Sequence, residues 1–181
     1  CGVLVHVVYK SVGHKAHLTL EEHWNITTVK WRKDLILIAT IENQTPDTKH
    51  PEKIHIRVSD KSLIIHNLMV NDSGEYVAQT GQWEEEVIKY RLNVQEAVSK
   101  PTIHADIDWQ SNSSSVCHIL AKCSADGESV TYDCKYQHCA RTNATLTGVN
   151  MTITYTDDGM LECTASNRVS MKRTSIPVNN T

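Results

Sequence analysis

Polar and apolar residues alternate with a period of two along most of the chain, and the apolar runs that interrupt this alternation are short. Segments such as KIHIRV, SLIIHNL and IKYRLNV are rich in Val, Ile and Tyr, which favours strands over helices. Turn-forming clusters at 45–51 and 71–74 separate such segments. Strands that recur at a spacing of roughly 8–12 residues predict an all-β sandwich.

The strand pattern restarts after a short segment that contains Lys100 and Pro101. A proline stiffens such a link, and the length of 181 residues leaves room for two domains. We therefore predict two tandem β-sandwiches, the first at residues 1–97 and the second at residues 98–181.

The composition places the chain outside the cell. Six cysteines and seven Asn-x-Ser/Thr sequons occur together, which is typical of secreted glycoproteins. The predicted glycosylation sites are Asn25, Asn43, Asn71, Asn112, Asn143, Asn150 and Asn179. No apolar run approaches the roughly 20 residues that span a bilayer, and the first residues lack the pattern of a signal peptide. We therefore expect the extracellular region of a cell-surface protein, without its leader or membrane anchor.

The first domain carries the landmarks of a variable-type immunoglobulin-like sandwich. Residues 72–76 read D-x-G-x-Y, and in such domains this tyrosine, Tyr76, makes a corner hydrogen bond to upstream backbone. Trp31 stands where strand C carries a core tryptophan, and Leu20 and Ala78 occupy the places of the two bridging cysteines. The domain is expected to fold without the usual disulfide, a bridge that contributes about 2–4 kcal/mol.

The second domain has cysteines where the inter-sheet bridge belongs. Cys123 on strand B and Cys163 on strand F are predicted to pair across the core of a short constant-type sandwich. Cys117 begins strand B and Cys139 ends strand C, which places them near one level and predicts a second bridge between them. A local link between Cys134 and Cys139 is the alternative, and the N-terminal cysteine has no assigned partner.

Together these features resemble the ectodomain of the signalling lymphocyte activation molecule (SLAM) family of leukocyte receptors. The resemblance covers nearly the whole chain and includes the K-P-x-I end of the linker at 100–103 and the C-T-x-S-N segment at 163–167. Two features depart from the family pattern, because Cys134 replaces the strand-C tryptophan and segment 171–178 has no cysteine. The resemblance implies an adhesion and immune receptor that needs no cofactor. It also implies recognition of the same molecule, or of a sister member, through the GFCC′ sheet of the first domain.

Strand parity predicts which side chains form that sheet's outer surface. Because Trp31, Tyr76 and Ala78 point inward, their neighbours along the strands point outward. Strand C′ at 35–40 is apolar almost throughout and must expose some of its residues, and a tryptophan falls at the FG turn. The predicted partner-binding residues are Lys30, Arg32, Ile36, Ile38, Val77, Gln79, Trp83, Glu85, Val87 and Lys89.

The sugar sites and the charges support this surface as a contact region. None of the seven sequons falls on segments C, F or G, so the sheet is expected to be free of glycan. Exposed aliphatic residues beside an aromatic are typical of binding patches. In a weak two-fold dimer, Lys30 and Arg32 of one molecule can meet Glu85 of the other.

Other functions fit the sequence less well. No motif such as G-x-S-x-G marks a nucleophile, and the paired acids at 84–86 and 157–158 are typical of turns or solvated strands. We therefore expect no enzyme and no small-molecule substrate. No C-x₂-C pair supports a metal site, and the formal net charge of −3 disfavours a nucleic-acid partner. Two rival hypotheses are a soluble or pathogen-encoded decoy that binds such a receptor, and a module that only spaces a distal element.

Overall fold

A computed structural model describes residues 2–21, 26–108 and 118–178. The chain divides into two compact units, Cys1–Glu96 and Ala97–Thr181, at a point one residue before the predicted boundary. Regular structure in the described residues consists of β-strands and one short 3-10 turn, so the all-β prediction is confirmed. Within this part of the chain no helix is long and apolar enough to cross a membrane.

The first unit is a sandwich of a six-stranded and a three-stranded sheet. Its strands are β1 (Val5–Ser11), β2 (Ala16–Leu18), β3 (Thr28–Lys33), β4 (Ile36–Glu42), β5 (Thr45–Thr48), β6 (Ile54–Ile56), β7 (Leu63–Ile65), β8 (Gly74–Thr80) and β9 (Glu85–Gln95), with the 3-10 turn at Val70–Asp72. The larger sheet has the order β1-β9-β8-β3-β4-β5 and the smaller one β2-β7-β6. Strands β4 and β5 extend the G-F-C sheet, as in a variable-type domain.

In the core of the first unit, apolar residues occupy the two positions that hold the bridging cysteines of an immunoglobulin domain. Trp31 is fully buried, and its indole N–H donates to the carbonyl of Lys61 at 3.1 Å. Leu20 and Ala78 are buried in the same cluster. The hydroxyl of Tyr76 donates to the carbonyl of Asp72 at 2.6 Å, which is the predicted corner hydrogen bond. Apolar packing therefore fills the place of the usual bridge.

The second unit consists of strands that pair in the order in which they follow one another. They are β10 (Thr102–Asp108), β11 (His118–Ala125), β12 (Glu128–Lys135), β13 (His138–Thr145), β14 (Asn150–Tyr155), β15 (Met160–Ser166) and β16 (Met171–Pro177). One sheet has the order β10-β11-β12-β13 and the other β14-β15-β16. Asp126 and Gly127 join β11 to β12 with φ of 53° and 78°, which fits a two-residue hairpin turn and keeps β12 beside β11.

Two disulfides cross-link this unit. Cys123 on β11 is joined to Cys163 on β15, which is the predicted bridge between the two sheets. The predicted Cys117–Cys139 pairing is wrong, because Cys139 is joined to Cys134. The reason is a second tight turn at residues 136–137, both with positive φ, which starts a new strand before Cys139. Cys134 and Cys139 are thereby direct neighbours across the β12–β13 hairpin. Cys117 lies outside the described residues.

Candidate functional site

The candidate site is the outer surface of strands β3, β4, β8 and β9, which we call the outer face. These strands are the C, C′, F and G strands of the sequence prediction. On β3 the parity prediction holds, because Trp31 is buried while Lys30 and Arg32 are partly exposed on the other side. Arg32 lies opposite Val77 in the strand register, and Lys30 lies opposite Gln79. The guanidinium Nε of Arg32 donates to the side-chain oxygen of Gln79 at 2.8 Å.

A β-bulge changes the predicted outward residues of β4. The register passes from Ala39 opposite Trp31 to Leu37 opposite Arg32, so Ile38 is the extra residue. A bulge shifts the side-chain alternation by one position. Ile38 is consequently only 8% exposed and belongs to the core, which contradicts its assignment as a contact residue. Leu37, at 39%, takes the outward place, and Ile36 is exposed at 59%, as predicted.

A second bulge lies in β9, where the register passes from Ile88 opposite Ala78 to Glu86 opposite Gln79. Val87 is the extra residue and remains exposed. Glu85 is exposed and lies opposite Thr80, and its contact with Lys30 and Arg32 of a second molecule stays a prediction.

The acid that meets those basic side chains is Glu84, which the sequence analysis did not single out. Lys30 Nζ donates to Glu84 Oε1 at 2.5 Å, and Arg32 Nη2 lies 3.5 Å from Glu84 Oε2. The hydrogen bond from Lys30 and its charge hold the pKa of the Glu84 carboxyl below its usual range. Glu84 ends the turn at 81–84 between β8 and β9, with φ of 52°. The turn thereby returns its carboxylate to β3.

Further ion pairs connect β8 and β9 along the outer face. Lys89 Nζ lies 3.7 Å from Glu75 and 3.5 Å from Glu86, and Arg91 lies 3.6 Å from Glu75. Val77 stands between Arg32 and Lys89 in the strand register. It is only 6% exposed, because long charged side chains cover apolar surface with their aliphatic stems. Val77 therefore points outward, as predicted, but offers little surface to a partner.

The accessible apolar groups lie in the turns and along one edge of the sheet. Trp83, at the tip of the 81–84 turn, is 82% exposed. Leu35, in the turn between β3 and β4, is also exposed, next to Ile36 and Leu37. The edge strand β1 adds an exposed apolar row that the sequence analysis missed: Val5, Val7 and Tyr9. The alternation in VHVVYK marked this strand, but the parallel pairing with β9 that puts it on this sheet has no local sequence signal.

None of the sequon asparagines that the structure describes is part of β3, β8 or β9, although Lys33 Nζ of β3 donates to the backbone carbonyl of Asn71 at 2.6 Å. Asn43 is exposed in the β4–β5 turn, and Asn71 is exposed in the 3-10 turn. Asn143 on β13 and Asn150 on β14 are exposed in the second unit. The remaining sequons, at Asn25, Asn112 and Asn179, lie outside the described residues.

One Ser–His–Asp group exists, but its geometry does not fit nucleophilic catalysis. The hydroxyl of Ser62 donates to Asp60 Oδ1 at 2.6 Å, and it lies 2.7 Å from His17 Nε2. Burial acts to raise the pKa of Asp60, but the hydrogen bonds from Ser62 outweigh it and keep the pKa below its usual value. Ser62 is fully buried and its proton points at the acid rather than at the imidazole, so the group stabilises the β6–β7 loop. Among the described residues no three His, Cys, Asp or Glu side chains group as metal ligands.

No family model and no curated protein matches the chain. Solved structures do match. The CD2-binding domain of CD58 (lymphocyte function-associated antigen 3) superposes with a TM-score of 0.67 at 20% identity, over 98% of this chain and 99% of that chain. Murine CEACAM1b superposes with a TM-score of 0.62 at 15% identity, over 94% of both chains.

A chain from the complex of the mouse coronavirus receptor-binding domain with its murine receptor gives a TM-score of 0.64 at 16% identity, over 94% of both chains. Identities this low show the fold alone. The chain therefore has the fold of two tandem immunoglobulin-like sandwiches, the first of them variable-type.

Proposed function

We propose that the chain is the extracellular part of a cell-surface adhesion or immune receptor of the SLAM type. In this proposal the first domain binds a protein on a facing cell, either the same molecule or a sister receptor, through the outer face. No cofactor takes part. The second domain follows the binding domain along the chain and is stabilised by two disulfides.

The observation that carries the proposal is a set of exposed apolar side chains at both ends of the outer face, on a sheet whose central strands carry no sequon. Trp83, Ile36 and Leu37 are exposed, although large apolar groups are usually withdrawn from water. Glycans are bulky and keep proteins apart, so a sugar-coated molecule makes contact where sequons are missing. Tryptophan is among the side chains that contribute most of the affinity in typical interfaces.

Two of the structural neighbours support the proposal that the chain binds a protein. One is described as the CD2-binding domain of CD58, and another comes from a complex of a virus domain with its receptor. Both are therefore proteins that bind other proteins. A weak single-site affinity suffices for adhesion, because many copies on two facing membranes bind together.

The test uses the whole chain with its glycans, displayed on beads. Beads that carry the chain are mixed with each other and with beads that carry a panel of two-domain immunoglobulin-type receptors. We expect aggregation with at least one of these surfaces. Trp83→Ala and Ile36→Ala should each make the free energy of binding, measured from Kd, less favourable by about 1–3 kcal/mol.

Val58→Ala and Leu120→Ala serve as matched controls, since both residues are exposed aliphatic groups that do not belong to the outer face. They should leave the affinity unchanged. Binding that survives Trp83→Ala with Ile36→Ala would show that another surface makes the contact.

A further inference from the structure

We infer that Glu84 is a positioning residue, which acts through Lys30 and Arg32 to hold the 81–84 turn against β3 and so to present Trp83 to the partner. The inference rests on the proposed function and names the device that prepares its site. The contact residue is Trp83, and Glu84 touches only groups of its own chain.

The first support is the geometry of the network. The Glu84 carboxylate uses both oxygens, one for Lys30 at 2.5 Å and the other for Arg32 at 3.5 Å. Arg32 is itself fixed to β8 by its hydrogen bond to Gln79. The turn is therefore connected to two strands of the sheet. An acid with two cationic partners in fixed positions has less freedom than an isolated exposed pair.

The second support is the backbone of the turn. Glu84 has a φ of 52°, in the left-handed region that side chains other than glycine seldom adopt. Such a conformation persists when surrounding contacts determine it. The backbone hydrogen bond from Glu84 N–H to Gly81 is long, at 3.3 Å. The β8–β9 ladder closes the base of the turn by pairing Thr80 with Glu85, and the side-chain contacts of Glu84 with Lys30 and Arg32 hold the turn against β3.

The third support is the position of the aromatic group. Trp83 directly precedes Glu84 and is almost fully exposed, without a packing surface that would fix it. Ordering a mobile side chain or loop on binding reduces affinity, whereas a turn that is already fixed avoids this loss. Holding Glu84 is thus a way to hold Trp83 in a binding-ready position.

The network also defines the chemistry of the partner. Glu84 pairs with both Lys30 and Arg32 and offsets one of their two positive charges, and Lys89 lies near Glu75 and Glu86. An acidic patch on the partner would have to compete with these pairs. The complementary surface is therefore an apolar one that accepts an indole ring, rather than an acidic one. Association rates should then depend only weakly on salt.

The experiment compares three forms of the full chain with the wild type. Glu84→Gln removes the charge, the exchange of Glu84→Lys with Lys30→Glu reverses the pair, and Glu52→Gln removes an exposed carboxylate elsewhere as the matched control. Nuclear magnetic resonance relaxation of the amides at 82–84 and of the Trp83 indole gives order parameters, which report how rigid the turn is. Binding to beads that carry the wild-type chain, or the panel receptor found above, reports affinity.

We expect Glu84→Gln to lower the order parameters at 82–84 from about 0.85 to below about 0.6. The same change should weaken binding by about threefold to tenfold, through faster dissociation. The reversed pair should restore order and affinity in part, because the ammonium group at position 84 also lies beside Arg32, and the control should change neither. Restored order without restored affinity would mean that Lys30 or Glu84 touches the partner directly, which overturns the positioning role.

Unchanged order and affinity in Glu84→Gln would also overturn the inference, while leaving the proposed function intact. A wild-type chain that binds none of the displayed surfaces would instead contradict the proposed function. In that case the relaxation data alone would still decide whether Glu84 holds the turn. The two failures are therefore distinguishable.

Discussion

At the scale of single residues, short polar contacts at the ends of strands determine local geometry. The corner hydrogen bond of Tyr76 is one such contact. Burial raises the pKa of the Tyr76 phenol, with the nearby Asp72 and Asp34 acting in the same direction. The hydroxyl therefore stays protonated and continues to donate to the Asp72 carbonyl at any physiological pH.

Replacing that hydroxyl tests its contribution to stability. Tyr76→Phe keeps the ring in the core but leaves the Asp72 carbonyl without this donor. We expect the free energy of unfolding of the first unit to fall by about 1–2 kcal/mol. Urea unfolding followed by tryptophan fluorescence measures it. A change below about 0.3 kcal/mol would mean that water replaces the hydroxyl without cost.

Glu128 has a similar role in the second unit. Its carboxylate accepts hydrogen bonds from the hydroxyl and N–H of Thr147 and from the N–H groups of Gly148 and Val149. The hydroxyl of Thr147, followed by these N–H groups, lowers the pKa of Glu128 to about 2. The carboxylate thus organises the loop between β13 and β14.

The lowered pKa predicts a dependence of stability on pH. A carboxyl whose pKa is depressed by folding stabilises the folded state above its unfolded value of about 4.3. This contribution is lost as the pH falls toward the folded value. The unfolding midpoint of the second unit should therefore drop between about pH 4.5 and pH 2. Glu128→Gln should flatten this part of the profile, measured by urea unfolding at several pH values, and an unchanged slope would contradict the assignment.

At the scale of elements, the sequence predicts strands better than it predicts where their alternation slips. Parity placed Lys30 and Arg32 correctly because β3 keeps its period of two up to Arg32. It failed at Ile38, because a bulge adds one residue and an isoleucine gives no sign of which side it will take. Parity also missed the contact of Glu84 with Lys30 and Arg32. That contact depends on the backbone angles of the 81–84 turn, which a run of three glutamates does not reveal.

Cysteine pairing shows the same limit. The bridge between Cys123 and Cys163 follows from the spacing of an immunoglobulin core, so it was predictable. The link between Cys134 and Cys139 depends on a two-residue turn at Tyr136 and Gln137, which are not typical turn residues. The strand was therefore predicted to continue to Cys139.

The two bridges should differ in their contribution to stability, because they close loops of different length. The sequence separations are 40 and 5 residues, for which chain entropy gives about 4 and about 2 kcal/mol. Replacing both Cys123 and Cys163 by alanine should destabilise the second unit more than replacing both Cys134 and Cys139 by alanine. Calorimetry of both variants measures the order. The reverse order would show that the hairpin bridge carries packing energy as well.

At the scale of the whole molecule, the proposed function assigns partner contact to the outer face and leaves the sequons to other parts of the surface. An added sugar therefore tests which surface binds. Lys89→Asn with Arg91→Thr creates a sequon on β9, and His55→Asn with Arg57→Thr creates one on the smaller sheet. We expect the first sugar to abolish bead aggregation and the second to leave it unchanged. Occupancy is checked by mass spectrometry, and aggregation that tolerates a sugar at position 89 would exclude the outer face.

The parallel pairing of β1 with β9 has a mechanical consequence for the adhesion that we propose. These are the first and last strands of the unit, and they are in register over seven positions, from Val5 with Lys89 to Ser11 with Gln95. Tension applied to the two ends of the unit pulls parallel neighbours in opposite directions along their length. All the hydrogen bonds between β1 and β9 are then loaded in shear at the same time, instead of breaking one after another. The unit without a covalent cross-link in its core is thereby built to resist stretching.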